Sequence, residues 1–162
     1  MIVEPRLVEY LNSLETELPE HLARLEAYAI ANEVPIIRKE AQSLLRFLLE
    51  LKQPKRILEV GTAIGFSASL LCEYMPKDCR LTTIEKVPMR IVEAEKNLAA
   101  LKRSEDVTFL TGDAEDVLRS LKEQGNQYDF VFMDAAKAQY MSFLTQILPM
   151  LPKGEIKRFS SL

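Results

Sequence analysis

The chain has 162 residues, 48% of them hydrophobic and 28% charged, which suits one domain, or one domain with a small appendage, that can bury a core. Five Gly and eight Pro are too few for a linker-dominated or low-complexity chain, and this apolar content excludes disorder. A net charge of −3 with Lys and Arg scattered among Asp and Glu argues against a broad phosphate-binding face, while an RNA met through a local pocket stays open.

Residues 1–53 read as helical. Leu7, Tyr10, Leu11, Leu14 and Leu18, then Leu22, Leu25 and Ala29, recur at the three-and-four spacing of an apolar stripe. Pro19 suits the start of a second helix, Pro35 breaks it from a third over Glu40–Leu51 with Leu44, Leu45, Leu48 and Leu49 on a wide apolar face, and Pro54 ends that helix. From residue 54 strands alternate with helices: a strand over Arg56–Val60, a helix over Phe66–Tyr74, and a β-branched strand over Arg80–Ile84. A helix from Pro88 to about Lys102 follows, then a strand over Asp106–Leu110, a helix over Ala114–Gln124, a strand over Tyr128–Met133 and a helix over Lys137–Leu151. Four such units predict an α/β Rossmann-like parallel sheet flanked by helices, with ligands at the carboxyl ends of its strands. Cys72 and Cys79 have no Cys or His partner at metal-ligand spacing and read as reduced thiols. No apolar run reaches the roughly 18 residues of a membrane span, and Glu4, Arg6 and Glu9 leave no leader-like apolar stretch. A cytoplasmic protein with no membrane partner is the expectation.

The chemistry concentrates after the strands. Glu59-Val-Gly-Thr-Ala-Ile-Gly65, followed by Phe66 and Ser67, allows a sharp turn into a helix N-terminus with free N–H groups. Its G-x-x-x-G spacing lacks the middle glycine that admits a pyrophosphate, so a phosphate-free ligand is favoured over a dinucleotide and a nucleotide-dependent oxidoreductase is disfavoured. A tight turn with no ligand is the plainer reading of that spacing alone. Glu85 stands where a carboxylate can accept both ribose hydroxyls, or be a solvated acid. Asp113, in Thr111-Gly-Asp-Ala114, can accept from an adenine amino group, cap the next helix, or both. Asp134 leaves an apolar strand toward the same crevice, with Lys137 one turn on. A carboxylate there can ligate a hard divalent cation, and a lysine near a cation can take a proton; helix capping and solvation are the alternatives.

Taken together, Glu59-Val-Gly-Thr-Ala-Ile-Gly-Phe-Ser67, Glu85, Gly112-Asp-Ala114 and Met133-Asp-Ala-Ala-Lys-Ala-Gln-Tyr140 resemble the class I methyltransferases that use S-adenosylmethionine. More narrowly, they look like the cation-dependent O-methyltransferases that include the catechol and caffeoyl-CoA enzymes. Val34-Pro-Ile-Ile37 is closest to the bacterial branch with the tRNA 5-hydroxyuridine methyltransferases. The resemblance runs from about residue 5 to residue 154. It implies that Gly61, Ala63 and Ser67 lie along the methionine part of the cofactor, with Ile37, Glu59 and Gly65 in the same cofactor-binding set. Glu85 would hold the ribose, Asp113 and Ala114 would border the adenine, and Asp134 would serve both cofactor and metal. Asp134 and Lys137 would be catalytic, the first as ligand to a divalent cation, usually magnesium, the second as general base. Tyr140 would shape the site or pack in the core, and His21 is a surface residue. The acceptor would be a small-molecule hydroxyl of catechol type or a tRNA hydroxyuridine, and the chain would form a homodimer.

After Met150-Leu-Pro-Lys-Gly154 the resemblance implies a further strand and an Asp-Asn pair that completes the metal site. The chain instead reads Glu155-Ile-Lys-Arg-Phe-Ser-Ser-Leu162. The expected organisation is therefore a helical segment at 1–53, a cofactor-binding core at 54–154 and a divergent or truncated tail at 155–162. The last strands of the family sheet would be missing and metal-dependent transfer impaired. A non-catalytic module that binds S-adenosylmethionine or assembles with a partner is the alternative.

Overall fold

The computed structural model describes residues 5–13, 17–134 and 139–152. Three helices come first: α1 (Pro5–Ser13), α2 (Glu20–Ala31) and α3 (Lys39–Lys52). Pro19 is the N-cap of α2. Gln53 closes α3 in the left-handed conformation, φ 47°, with its N–H donated to the Leu49 carbonyl, and Pro54 cannot continue the helix. The expected apolar stripes are divided. Leu22, Ala29, Leu45, Leu48 and Leu49 are buried, whereas Leu7, Tyr10 and Leu44 are exposed. The wide face expected of α3 is narrower because only one side of that helix packs on the helix that follows β1. Leu14 and the tail at 155–162 lie outside the described residues.

The strands β1 (Arg56–Val60), β2 (Arg80–Glu85), β3 (Val107–Thr111) and β4 (Phe130–Met133) form one parallel sheet in the order β3-β2-β1-β4. Helices α4 (Phe66–Tyr74), α5 (Pro88–Ala99), α6 (Ala114–Glu123) and α7 (Tyr140–Ile147) complete the alternation. Side chains of a strand alternate between its faces, and the core follows that rule. Ile57, Leu81 and Phe132 join Leu22, Ala29, Leu45, Leu49 and Phe66 on one side. Leu58, Val60, Ile84, Val131 and Met133 join Leu118, Leu121, Phe143 and Ile147 on the other. Burial on both faces explains why β1 and β4 are nearly continuous apolar runs.

Several boundaries differ from the sequence expectation. Strand β2 extends to Glu85, so the expected ribose acid is the last strand residue. Helix α5 stops at Ala99. Strand β3 starts at Val107 after a 3₁₀ turn at Ser104–Asp106, because the Asp106 carboxylate is taken by Arg80 and Arg103. Strand β4 starts at Phe130: the Tyr128 N–H goes to the Met150 carbonyl instead, and the Asp129 carboxylate accepts the N–H groups of Lys55 and Arg56. Helix α7 ends at Ile147 and gives way to a 3₁₀ turn at Leu148–Met150, where Pro149 offers no N–H. Its expected start at Lys137 lies outside the described residues.

At the amino end of the sheet the Arg103 guanidinium is a clamp. It donates to Asp106 at 2.7 Å and to the carbonyls of Met75, Pro76, Lys77 and Cys79 at 3.0–3.3 Å. This fixes the α4–β2 connection and leaves the carboxyl ends of the strands as the open side of the molecule.

Candidate functional site

The chain turns sharply as it leaves β1. Gly61 takes φ 99° and Gly65 φ 86°, values that an L side chain reaches only with strain. Ala63 adopts φ 48° without that freedom, which costs about 1–2 kcal/mol. What holds it there is Glu85: the Ala63 N–H donates to Glu85 Oε2 at 2.8 Å. Glu85 Oε1 accepts from the N–H groups of Lys86 and Val87 at 2.8 and 2.9 Å. One buried carboxylate thus ties the β1–α4 loop to the start of the β2–α5 loop. A carboxylate has about four lone-pair sites, so three bonds leave Glu85 one acceptor site.

Two adjoining cavities lie along these loops. One, of about 150 Å³, is lined by Ile37, Thr62, Phe66 and Ser67; the other, of about 270 Å³, is lined by Val87, Gly112, Asp113, Ala114 and Phe143. Gly61, Glu85, Arg90 and Asp134 border both, so the two are chambers of a single crevice. Its dimensions suit an elongated small molecule.

Asp113 is the N-cap of α6, Oδ1 accepting the Glu115 N–H at 3.0 Å, and Oδ2 pairs with Lys86 Nζ at 3.1 Å. The backbone bond and then the lysine hold its carboxyl below the usual range. Asp134 is exposed at the crevice and its N–H donates to the Val60 carbonyl. The crevice walls desolvate its carboxyl enough to raise its pKa. Tyr140 packs half-buried against the second core cluster. His21 sits on α2 with Nε2 3.5 Å from Glu73 Oε2. Cys72 and Cys79 are free and buried, and burial pushes their thiols up to about 12 and about 11, which leaves them inert.

Glu59 is placed differently from the other expected cofactor residues. It is fully buried, behind the crevice wall, and lines neither chamber. On β1 it stands in register with Thr83 of β2. The Thr83 hydroxyl donates to Glu59 Oε2 and lies 2.5 Å from the Thr62 hydroxyl, while Glu59 Oε1 has no hydrogen-bond partner. Burial pushes the Glu59 carboxyl up to about 7; the hydroxyls of Ser67 and Thr83 oppose this, and the charges of Asp134 and Glu85 add to it.

Of the residues expected to bind the cofactor, Ile37, Gly61, Ala63, Ser67, Glu85, Asp113, Ala114 and Asp134 line one crevice. Gly65 serves the turn, as the left-handed N-cap of α4. Lys137 lies outside the described residues. Arg90, Thr62 and Thr83 were missed. Thr83 could have been found from its position opposite Glu59 once two parallel strands were paired, since a polar residue inside an apolar strand needs a partner.

The described residues fit the phosphate-free nucleoside cofactor of the sequence reading. Glu85 keeps an acceptor site at the junction of the two chambers. They do not fit a metal centre: among the described residues no three His, Cys, Asp or Glu side chains come together to hold an ion. Also among them, no helix is long and apolar enough to cross a membrane.

The family model described as "O-methyltransferase" matches residues 10–161. The chain belongs to the O-methyltransferase family. Among curated relatives it is 34% identical over 113 residues to a catechol O-methyltransferase of Niastella koreensis, covering 69% of this chain and 51% of that one. It is 31% identical to the catechol O-methyltransferase of Mycobacterium tuberculosis, covering 83% and 61%. Among solved structures, the O-methyltransferase TomG from Streptomyces achromogenes, in complex with S-adenosylmethionine, superposes with a TM-score of 0.80 at 30% identity, over 91% of this chain and 67% of that one. The chain therefore spans about half to three-fifths of the length of these curated relatives.

Proposed function

We propose that the chain binds S-adenosylmethionine along the crevice and transfers its methyl group to the hydroxyl of a catechol-like small molecule. The observation that carries this reading is Glu85. It stands buried at the junction of the two chambers, with one acceptor site to spare for a ribose hydroxyl, between an amino-acid-sized chamber and one bordered by Asp113 and Ala114. When bound, the sulfonium supplies an activated methyl group. Gly61, Ala63, Ile37 and Ser67 line the chamber assigned to the methionine arm, Asp113 and Ala114 the chamber assigned to the adenine, and Asp134 faces both. Glu59 and Gly65 complete the cofactor set from behind the wall and within the turn. Holding donor and acceptor together supplies much of the rate of such a transfer. Lys137 is assigned to take the acceptor's proton.

Magnesium has a single proposed ligand here, Asp134. One exposed carboxylate does not meet the need of a hard cation for several oxygens. A homodimer belongs to the same reading, supported by the exposed stripe of Leu44, Phe47 and Leu51 on α3. So does a cytoplasmic setting, supported by the two free thiols.

Calorimetry with S-adenosylhomocysteine tests the cofactor; saturable binding of one molecule per chain is expected, and no heat of binding overturns the reading. Tritium transfer from labelled S-adenosylmethionine to a catechol panel and to bulk tRNA tests the acceptor. Label in the catechols is expected, whereas label confined to tRNA replaces the small molecule with a wobble hydroxyuridine.

A further inference from the structure

Helix α3 turns Ala41, Gln42, Leu45, Leu48 and Leu49 inward, so one carboxamide is set into an otherwise apolar stripe. Gln42 is 3% exposed, and a buried amide is costly unless its hydrogen-bonding groups are satisfied. Its amino group has two hydrogens. One goes to Glu26 Oε1 of α2 at 3.0 Å and the other to the Ile37 carbonyl at 3.1 Å. A carbonyl oxygen can only accept, so the amino end of the carboxamide must face this way. Held by two acceptors, the planar group cannot turn. Ile37, with Pro35 and Ile36, forms one wall of the smaller chamber. Pro35 has no N–H to give, and among the described residues the main chain of Pro35, Ile36 and Ile37 makes no hydrogen bond other than this one. Gln42 itself lines neither chamber.

We propose that Gln42 is a positioning residue: from behind the wall its carboxamide fixes the Ile37 carbonyl, and with it the shape of the smaller chamber, and so sets how tightly the amino-acid arm of the ligand is held. The bond to Glu26 makes this support a cross-link. It joins the wall to α2 and α3 at once, and a carboxylate acceptor strengthens it. Apolar packing of Ile36 and Ile37 on the first core cluster resists withdrawal of the wall but not rotation of its peptide groups, which only a directed bond prevents. The inference rests on the cofactor reading above, which assigns the smaller chamber to that arm.

Two ligands separate positioning from a general loss of stability. S-adenosylhomocysteine has the amino-acid arm; 5′-methylthioadenosine keeps the nucleoside and thioether and lacks it. Gln42→Met keeps the length and apolar stem of the side chain and removes both hydrogen bonds. Calorimetry of the full chain is expected to show it weakening S-adenosylhomocysteine about tenfold, the scale of one hydrogen bond to a charged group. Affinity for 5′-methylthioadenosine stays within about twofold, which also reports that the variant is folded. Glu26→Leu frees one hydrogen of the amide and is expected to cost about threefold on the first ligand only, whereas Glu26→Gln retains an acceptor oxygen and keeps full affinity. Tyr28→Phe removes a different bond from α2, that to Glu93 Oε1, and is expected to leave both affinities unchanged; a loss equal to that of Gln42→Met would show that any loosening of α2 suffices, and overturns the inference. If Gln42→Met does not fold, the two Glu26 variants carry the test. Equal weakening of both ligands, or full affinity of Gln42→Met for S-adenosylhomocysteine, also overturns it, as does an unsubstituted chain that binds the two ligands equally well. A chain that binds neither overturns the cofactor reading beneath it.

Discussion

The two ends of the parallel sheet differ in one carboxylate. At the amino end, Asp106 is held by Arg80 and Arg103, and Asp129 accepts two backbone N–H groups where β1 begins. At the carboxyl end Asp113 pairs with Lys86 and Glu85 accepts three backbone N–H groups, but among the described residues Glu59 and Asp134 form no ion pair, and Glu59 keeps one oxygen with no partner. The first arrangement completes its own electrostatics and closes the fold. The second leaves a deficit that a cationic ligand can fill, as expected of a site kept at some expense of stability.

The largest test of that contrast is at the closed end. Arg103→Ala removes a partner of Asp106 and the bonds to four carbonyls together, and is expected to destabilise the chain by about 4 kcal/mol, the scale of a broken buried pair, in urea unfolding. A loss under about 1 kcal/mol would mean that the clamp is redundant. At the open end the sign reverses. Glu59, ordinarily 4.5, is pushed up to about 7 in the folded chain. Between these values the folded state holds a proton that the unfolded chain has released. Glu59 therefore favours folding at low pH, and this contribution is lost as pH rises through about 7, by about 3 kcal/mol in total. Urea unfolding of Glu59→Gln should match the unsubstituted chain near pH 4 and exceed it at pH 8; a constant difference would show that Glu59 does not titrate in this window. The smallest effect is at the strained loop. Ala63→Gly releases the left-handed alanine and is expected to stabilise by at most about 1 kcal/mol, read as a small rise in Tm.

Much of this architecture was legible in the sequence because its signals are local. Pro19 and Pro54, the β-branched run before Glu85 and the turn glycines mark element ends within a few residues, and parallel strands place whatever follows them on one side of a sheet. The element ends that moved were decided by tertiary partners: Asp106 was withdrawn from β3 by two arginines, and Tyr128 from β4 by the Met150 carbonyl. In the site, residues that follow strands were found by position alone. Thr83 was not, since a threonine in a strand is normally a β-former, and its role shows only when the register sets it opposite a buried acid. Leu44 was misplaced for a similar reason: heptad-like spacing marks an apolar face but not how much of it another helix will cover.

The shared core on one side of the sheet has a kinetic consequence. Leu22 and Ala29 of α2 belong to the same cluster as Phe132 of β4, so that cluster is complete only once β4 has been made. Contacts this distant in sequence slow folding, and during synthesis α2 and α3 leave the ribosome with their inner faces bare. Until β4 emerges the nascent chain exposes apolar surface of the kind that favours aggregation, and substitutions that strengthen α3 alone should raise its helicity without hastening the arrival of the native state.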